Sequence, residues 1–334
     1  MENSYILSNE LVVSIYTIGF DPKGESILIT ISDGSIILFS GLIDCFITEN
    51  DYVLKLLNSL EIRYLNYLCI THPDNDHCVG IPSIIDKINS KTKIALPNRI
   101  FDFMDQYDAK VKESLESLRE LLNLRRGNEK KPRFNTVSDN QTIIDNWQFI
   151  DYIGKQNKLK IVTVSPSSNV IEKYALKQSI GDVIVEHNAF SIINLIQIDD
   201  IKILLTSDVE NDNIGDVFDN LTEFSYLFFN SKIDFVKIPH HTSKGSNLLL
   251  DKIKAKGEGI GCSATTIFRS CSLPDYSLLS DYNSCSDMSF CTGKSKTEEK
   301  KSGIILYQVD VTNHQRKITL MDNAVKFENY IQQI

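Results

Sequence analysis

The chain has 334 residues, 42% of them hydrophobic and 24% charged, with a formal net charge of −9. This is an ordinary globular composition, rich enough in apolar residues for one large core or two smaller ones. It argues against a protein that coats nucleic acid by long-range attraction, but not against an enzyme that takes phosphodiesters at a local site. No apolar run approaches the ~18 residues of a membrane span, and Met1-Glu2-Asn3-Ser4 lacks a basic stretch ahead of an apolar one. Neither a membrane nor a secretory signal is therefore expected. Seven cysteines, at 45, 69, 78, 262, 271, 285 and 291, form no C-x-x-C pair and read as free thiols of a reducing, cytoplasmic setting.

In chain order, residues 12–16, 26–31 and 35–39 are short β-branched and aromatic runs, with Asp33-Gly34 as a hairpin turn between the last two. Residues 42–45 resemble a further strand end. Residues 51–60 place Val53, Leu54, Leu57 and Leu60 on one helical face. A strand at 67–70 runs into Thr71-His72-Pro73-Asp74-Asn75-Asp76-His77, and a helix is expected over 79–88. Residues 108–126 form a charged amphipathic helix with Val111, Leu115, Leu118, Leu121 and Leu122 on one side. The basic stretch 125–133 follows, and the whole reads as a helical, basic insertion at 101–135. Strands are expected at 160–164, 183–185, 190–197 and 201–205, with Asp199-Asp200 as a tight turn before the last. A helix at 212–221 precedes a strand at 235–238 that ends in Pro239-His240-His241. A helix at 248–253, a strand at 264–269, a short helix at 277–282, a polar loop at 294–301 and a strand pair at 304–309 and 317–320 complete the chain. There is no sequence repeat, yet the order meander, α, β, α, then hairpin, α, β, α suggests two similar halves. Apolar strands alternating with helices imply sheets covered by helices.

The chemistry concentrates in three places. The first is the H-x-D-x-D-H run, whose imidazoles and carboxylates are the donor types for borderline and hard divalent metals. So short a loop can supply His72 and Asp74 to one ion, and Asp76 and His77 to a second. The competing reading is a solvated turn that caps the next helix. The second place is Asp208, at the exit of an apolar strand, where a carboxylate can bridge two ions; alone it would read as a helix N-cap. The third is Pro239-His240-His241-Thr242-Ser243, again after an apolar strand. Adjacent histidines point to different sides of an extended chain, so one ligates and the other holds a ligand in place or protonates a leaving group. The spacing leaves the two interchangeable. We assign ligation to His240 and, with Asp76, a catalytic role to His241.

These motifs together resemble the metallo-β-lactamase superfamily, and within it the lactamase-like domain of competence-type DNA-uptake proteins. The matching residues are Thr71-His72-Pro73-Asp74-Asn75-Asp76-His77-Cys78-Val79-Gly80, Ser207-Asp208, and Val236-Lys237-Ile238-Pro239-His240-His241-Thr242-Ser243. The chain departs from the family pattern at Val79, a glycine there, at Ser207 in place of the glycine of G-D, and at Thr242 in place of the glycine of H-H-G-S. The resemblance covers residues 10–270. It implies a four-layer αβ/βα sandwich, here one domain over 10–325 with a variable segment at 262–303. It also implies two divalent ions, Zn²⁺ or Mn²⁺, and makes Asp44, Asn188 and Ser191 supports of the ligands. His187, the only histidine between 78 and 239, matches the place of the family's mid-chain metal ligand, though an ordinary strand-start histidine is an equal reading.

The reaction implied is hydrolysis of a phosphodiester, in nucleic acid or a nucleotide, by water activated at the ion pair. Arg126 and Lys244 are candidate substrate contacts, alongside Arg125, Lys130, Lys131 and Arg133. The same scaffold supports two other readings, a thioester or lactone hydrolase and a non-catalytic metal-binding subunit with a protein partner, as in a multi-protein defence system. Cys262, Cys271, Cys285 and Cys291 lack the close pairs of a zinc knuckle and read as scattered core thiols.

Overall fold

The computed structural model describes residues 3–7, 10–20, 23–47, 51–124, 132–150, 154–179, 186–294 and 303–330. The chain opens with β1 (Asn3–Ile6), β2 (Leu11–Gly19), β3 (Glu25–Asp33) and β4 (Ile36–Ile43). Then come α1 (Tyr52–Ser59), β5 (Tyr67–Cys69), the single turn α2 (Asn75–Cys78) and β6 (Lys93–Pro97). The long helix α3 (Ala109–Leu124) leads to β7 (Arg133–Val137), β8 (Gln141–Ile150) and β9 (Gln156–Thr163). After α4 (Ser168–Ser179), the hairpin β10 (Asn194–Ile198) and β11 (Ile201–Leu205) precedes α5 (Asn211–Asp219) and α6 (Glu223–Phe229). The rest is β12 (Ile233–Lys237), α7 (Leu248–Ala255), β13 (Ile260–Thr265), α8 (Tyr276–Cys285), β14 (Ser286–Cys291), β15 (Gly303–Asp310), β16 (Arg316–Asp322) and β17 (Val325–Lys326).

The strands form two sheets, ordered β16-β15-β2-β3-β4-β5-β6-β7 and β1-β8-β9-β10-β11-β12-β13-β14-β17. Strand alternation sends successive residues to opposite faces. Ile203 and Leu205 join Ile15, Ile29 and Phe235 in the core between the sheets, while Leu204 between them faces α5, α6 and α7 with Val236. Leu28, Leu42 and Leu68 pack on the other side against Val53 and Leu57 of α1 and Val111, Leu115 and Leu118 of α3. Each sheet thus has apolar residues on both faces, and the layers run helix, sheet, sheet, helix. This is the mixed α/β sandwich expected from the motifs, reached here from burial alone.

Several local expectations change. The helix expected over 79–88 begins earlier, as α2 inside the motif, and continues as a 3₁₀ segment over Ile81–Lys87. Pro82 lies in the first turn of that segment, where a missing N–H has no helical partner to lose. Of the stretch 101–135, the described part includes α3, which leads from β6 to the parallel strand β7 of the first sheet, while 125–131 lie outside the described residues. Residues 262–303 likewise contribute α8 and β14, the latter paired parallel with β13. The two halves exchange their ends. β1 pairs with β8 in the second sheet, and β15 lies against β2 in the first. His187–Phe190 is a 3₁₀ turn rather than a strand start. The strand expected at 183–185 lies outside the described residues.

Candidate metal centre

β4, β5 and β6 are parallel neighbours, as are β11, β12, β13 and β14. Loops at the carboxyl ends of such strands are where α/β folds gather polar groups. Here Asp44 leaves β4, the His72–His77 loop leaves β5, Asp208 leaves β11, His240 and His241 leave β12, and Thr266 leaves β13. Backbone bonds tie these exits together. The Ile192 N–H donates to the Thr71 carbonyl (3.1 Å), and the His240 N–H donates to the Ser207 carbonyl (3.0 Å).

Asp76, His77, Asp208 and His241 form a buried group whose donor atoms all lie within 4.8 Å of one another. The Asp208 Oδ2 is 3.4 Å from His77 Nε2 and 3.3 Å from His241 Nε2, and Asp76 Oδ2 is 3.9 and 3.7 Å from the same two nitrogens. A second group adjoins it, the His72 and His77 rings being 4.1 Å apart. There His72 Nε2 lies 3.6 Å from Asp74 Oδ2, and Asp74 Oδ1 lies 2.5 Å from His187 Nδ1. Asp74 occupies the N-cap position of α2 without capping it, its carboxylate being turned to these imidazoles instead.

The two adjacent histidines are set the other way round from the sequence assignment. His241 joins the buried group. His240 turns outward, with Nδ1 3.3 Å from Glu210 Oε1 and Nε2 3.4 Å from Asn188 Nδ2. Both have left-handed backbones, at φ 46 and 48, so their side chains diverge without the extended chain assumed from spacing. Asn188 also donates to Glu210 (3.1 Å), which places it beside His240. Ser191 is fully buried, its carbonyl accepts from the Ser165 hydroxyl (2.7 Å), and its own hydroxyl has no hydrogen-bond partner. Lys244 is exposed and 3.5 Å from Asp275. Arg126, with Arg125, Lys130 and Lys131, lies outside the described residues.

Three buried imidazoles are held by their Nδ1 atoms. For His77 the partner is Asp44 Oδ2 (2.7 Å), which also accepts from the Thr71 hydroxyl (2.7 Å), while Asp44 Oδ1 takes the Thr71 N–H (2.7 Å). The Ser207 hydroxyl donates to Thr71 Oγ1 (2.6 Å) and lies 3.2 Å from His72 Nδ1. For His241 the partner is Thr266 Oγ1 (2.7 Å). In each case Nε2 is left facing the carboxylates. His72 Nε2, His77 Nε2, His241 Nε2 and Asp208 Oδ1 are buried without a hydrogen-bond partner. Buried polar atoms are rarely orphaned. These orphans, with His240 Nδ1 beside them and carboxylates facing the Nε2 atoms, form a donor set that divalent cations would satisfy.

The electrostatics agree with the geometry. Burial opposes ionisation of Asp76 and Asp208, but the imidazoles beside them, His241 foremost, hold both carboxyls below the usual range, Asp208 far below. For Asp74 burial is likewise outweighed, by His187 and His72. Burial would lower His77 and His241, yet Asp208 raises His77 well above its ordinary value and His241 to about 9. His240 is lowered, chiefly by burial.

Two of the departures from the family pattern sit where glycine is easiest. Ser207 has φ 50 and Thr242 φ 66, a region that costs non-glycine residues of order 1–3 kcal/mol. Each hydroxyl is used. Ser207 holds Thr71 and His72, and Thr242 Oγ1 donates to Thr265 Oγ1 (2.7 Å). Sequence reasoning missed Glu25 and Thr266 behind His241 and gave no role to Lys237, although it stands in the matched motif. It also missed Lys23, whose Nζ is 3.9 Å from Asp76 Oδ1. A lysine inside an apolar strand was the one available signal, at Lys237, whereas Lys23 in a turn carries none.

No protein-family description matches the chain, and no curated protein does. Among solved structures it is similar to Zn²⁺-bound PqqB from Methylobacterium extorquens, with 9% identity and a TM-score of 0.34, over 65% of this chain and 60% of that one.

Proposed function

We propose that this chain is a metal-dependent hydrolase acting on phosphodiesters of nucleic acids or nucleotides. The buried gathering of Asp76, His77, Asp208 and His241, in which the last three each keep an orphaned donor atom, carries the reading. Asp76, His77, Asp208 and His241 would hold one divalent ion, and His72, Asp74 and His187 a second. Three carboxylates among imidazoles suit Zn²⁺ or Mn²⁺. Such ions supply a water nucleophile at neutral pH and neutralise charge on phosphoryl oxygens.

The protein's own groups supply the rest. Lys23, at the rim beside Asp76, adds positive charge where an anionic substrate arrives, offsetting the net −9. It also lines a cavity of about 430 Å³ with Phe46, Ile47, Asn75, Val79 and Lys110, which would receive a group esterified to the phosphorus. His240, outside the buried group and partly exposed, is the histidine that can exchange a proton with a leaving alkoxide.

The test is hydrolysis of bis-p-nitrophenyl phosphate by protein loaded with Mn²⁺ or Zn²⁺, beside Asp208→Ala and His77→Ala. Metal-dependent turnover lost in both variants is the expected result. Turnover of thioesters or lactones alone would transfer the scaffold to those substrates. Bound metal without any turnover would leave a binding module.

A further inference from the structure

Beneath the metal centre lies a buried ion pair that the proposed reaction does not use. Glu25, at the start of β3, and Lys237, at the end of β12, come from different sheets and are both essentially inaccessible. Lys237 Nζ is 2.7 Å from Glu25 Oε2 and also donates to the Ile238 carbonyl (2.9 Å). Replacing such a pair by apolar residues is often neutral or stabilising, so stability alone does not account for it.

The same Glu25 oxygen accepts from the Thr266 hydroxyl (2.6 Å), and Thr266 Oγ1 is 2.7 Å from His241 Nδ1. Donor bookkeeping then sets the imidazole. A carboxylate paired with an ammonium only accepts, so the single Thr266 proton is committed to Glu25. Thr266 Oγ1 can therefore only accept from His241, which must carry its proton on Nδ1. That leaves Nε2, 3.7 and 3.3 Å from Asp76 and Asp208, as the nitrogen that gives up its proton to bind a metal.

We propose that Glu25, acting through the Thr266 hydroxyl and pinned by Lys237, is a positioning residue that locks His241 in the tautomer and orientation of a metal ligand. This rests on the metal-centre reading above. It would do for His241 what Asp44 does directly for His77, with a hydroxyl interposed because the carboxylate itself stands 3.9 Å from His241 Nδ1.

The experiment is a competition titration of Zn²⁺ and Co²⁺ against a chromophoric chelator, for wild type, Thr266→Val, Thr266→Ser and the double variant Glu25→Gln/Lys237→Met. Circular dichroism checks each fold, and long-range ¹H–¹⁵N spectra of the Zn²⁺ forms report histidine protonation. Outer partners of metal-bound histidines are worth about 10–100-fold in affinity. Thr266→Val should weaken one ion by that factor, leave the other unchanged, and alter the Co²⁺ spectrum. Thr266→Ser should restore wild-type binding. The double variant, which keeps an acceptor but removes both charges, should weaken the same ion by less and provides the answer if Thr266→Val does not fold. Wild type binding two ions, with Thr266→Val or the double variant binding them equally well, overturns this inference alone. Wild type binding no ion overturns the metal-centre reading and this inference with it.

Discussion

At the scale of single residues, the run His240-His241-Thr242 decides the site. Three successive left-handed residues fold the chain sharply after β12, turning the first imidazole away from the buried group and the second into it. The two histidines should therefore fail differently. His241→Ala should lose an ion, read by metal content. His240→Ala should keep both ions while kcat falls by about 10²–10⁴-fold, the usual worth of a proton-transfer group. Equal metal loss in both would remove the distinction. Ser207 offers a second test, because its backbone and its hydroxyl pull in opposite directions. Ser207→Gly relieves left-handed strain of about 1–2 kcal/mol and loses hydrogen bonds worth about 0.5–1.5 kcal/mol each. Ser207→Ala loses the bonds and keeps the strain. Urea unfolding should rank glycine above alanine by about 1 kcal/mol, while both variants bind metal more weakly because His72 is released. The protons matter as well. With its pKa raised to about 9, His241 is protonated at pH 7, so an ion that takes its Nε2 must expel that proton. Calorimetry in buffers of different ionisation heat should show proton release, and apparent affinity should rise with pH up to about 9. Affinity independent of pH would exclude His241 as a ligand.

Among the elements, α2 does most to place the donors, since one turn carries Asp76 and His77 and has Asp74 at its N-cap position. It docks against the exit of β4 through the Cys45 N–H to the His77 carbonyl and the Gly80 N–H to the Cys45 carbonyl, both 2.7 Å. A Cβ on Gly80 would meet Cys45 Sγ at 2.7 Å and the Cys45 carbonyl at 2.8 Å. The backbone cannot yield there without moving the motif. Gly80→Ala should cost about 1–3 kcal/mol, as overpacking does, and lower metal occupancy together with the melting temperature. A variant as stable and as metal-rich as wild type would show that the docking is loose. The two donor groups also differ in setting. The group of Asp76, His77, Asp208 and His241 is wholly buried, whereas the side chains of Asp74 and His187 remain 37% and 23% exposed. A chelator should strip the ion at the exposed group first.

For the whole molecule, the donors come from both sheets, His77 after β5 and His241 after β12. A bound ion therefore clips the two layers together at one edge and stabilises the folded state by linkage, about 2.7 kcal/mol at a concentration 100 times its Kd. Thermal unfolding with and without chelator should show this as a drop in melting temperature that saturating Zn²⁺ or Mn²⁺ reverses. Much of this was legible in residue order. Strands such as those read at 201–205 and 235–238 announce themselves by apolar β-branched runs, and the H-x-D-x-D-H loop, Asp208 and the histidine pair stand out because ligand-type side chains at strand exits are chemically conspicuous. Local patterning determined these because it depends on neighbours a few residues apart. Contacts across more than two hundred residues have no such signature. Only the folded chain could bring Thr266 against Glu25, exchange β1 and β15 between the sheets, or turn His241 rather than His240 to the metal centre. Those outcomes depend on which strand exits share an edge and on backbone angles that packing, not composition, selects.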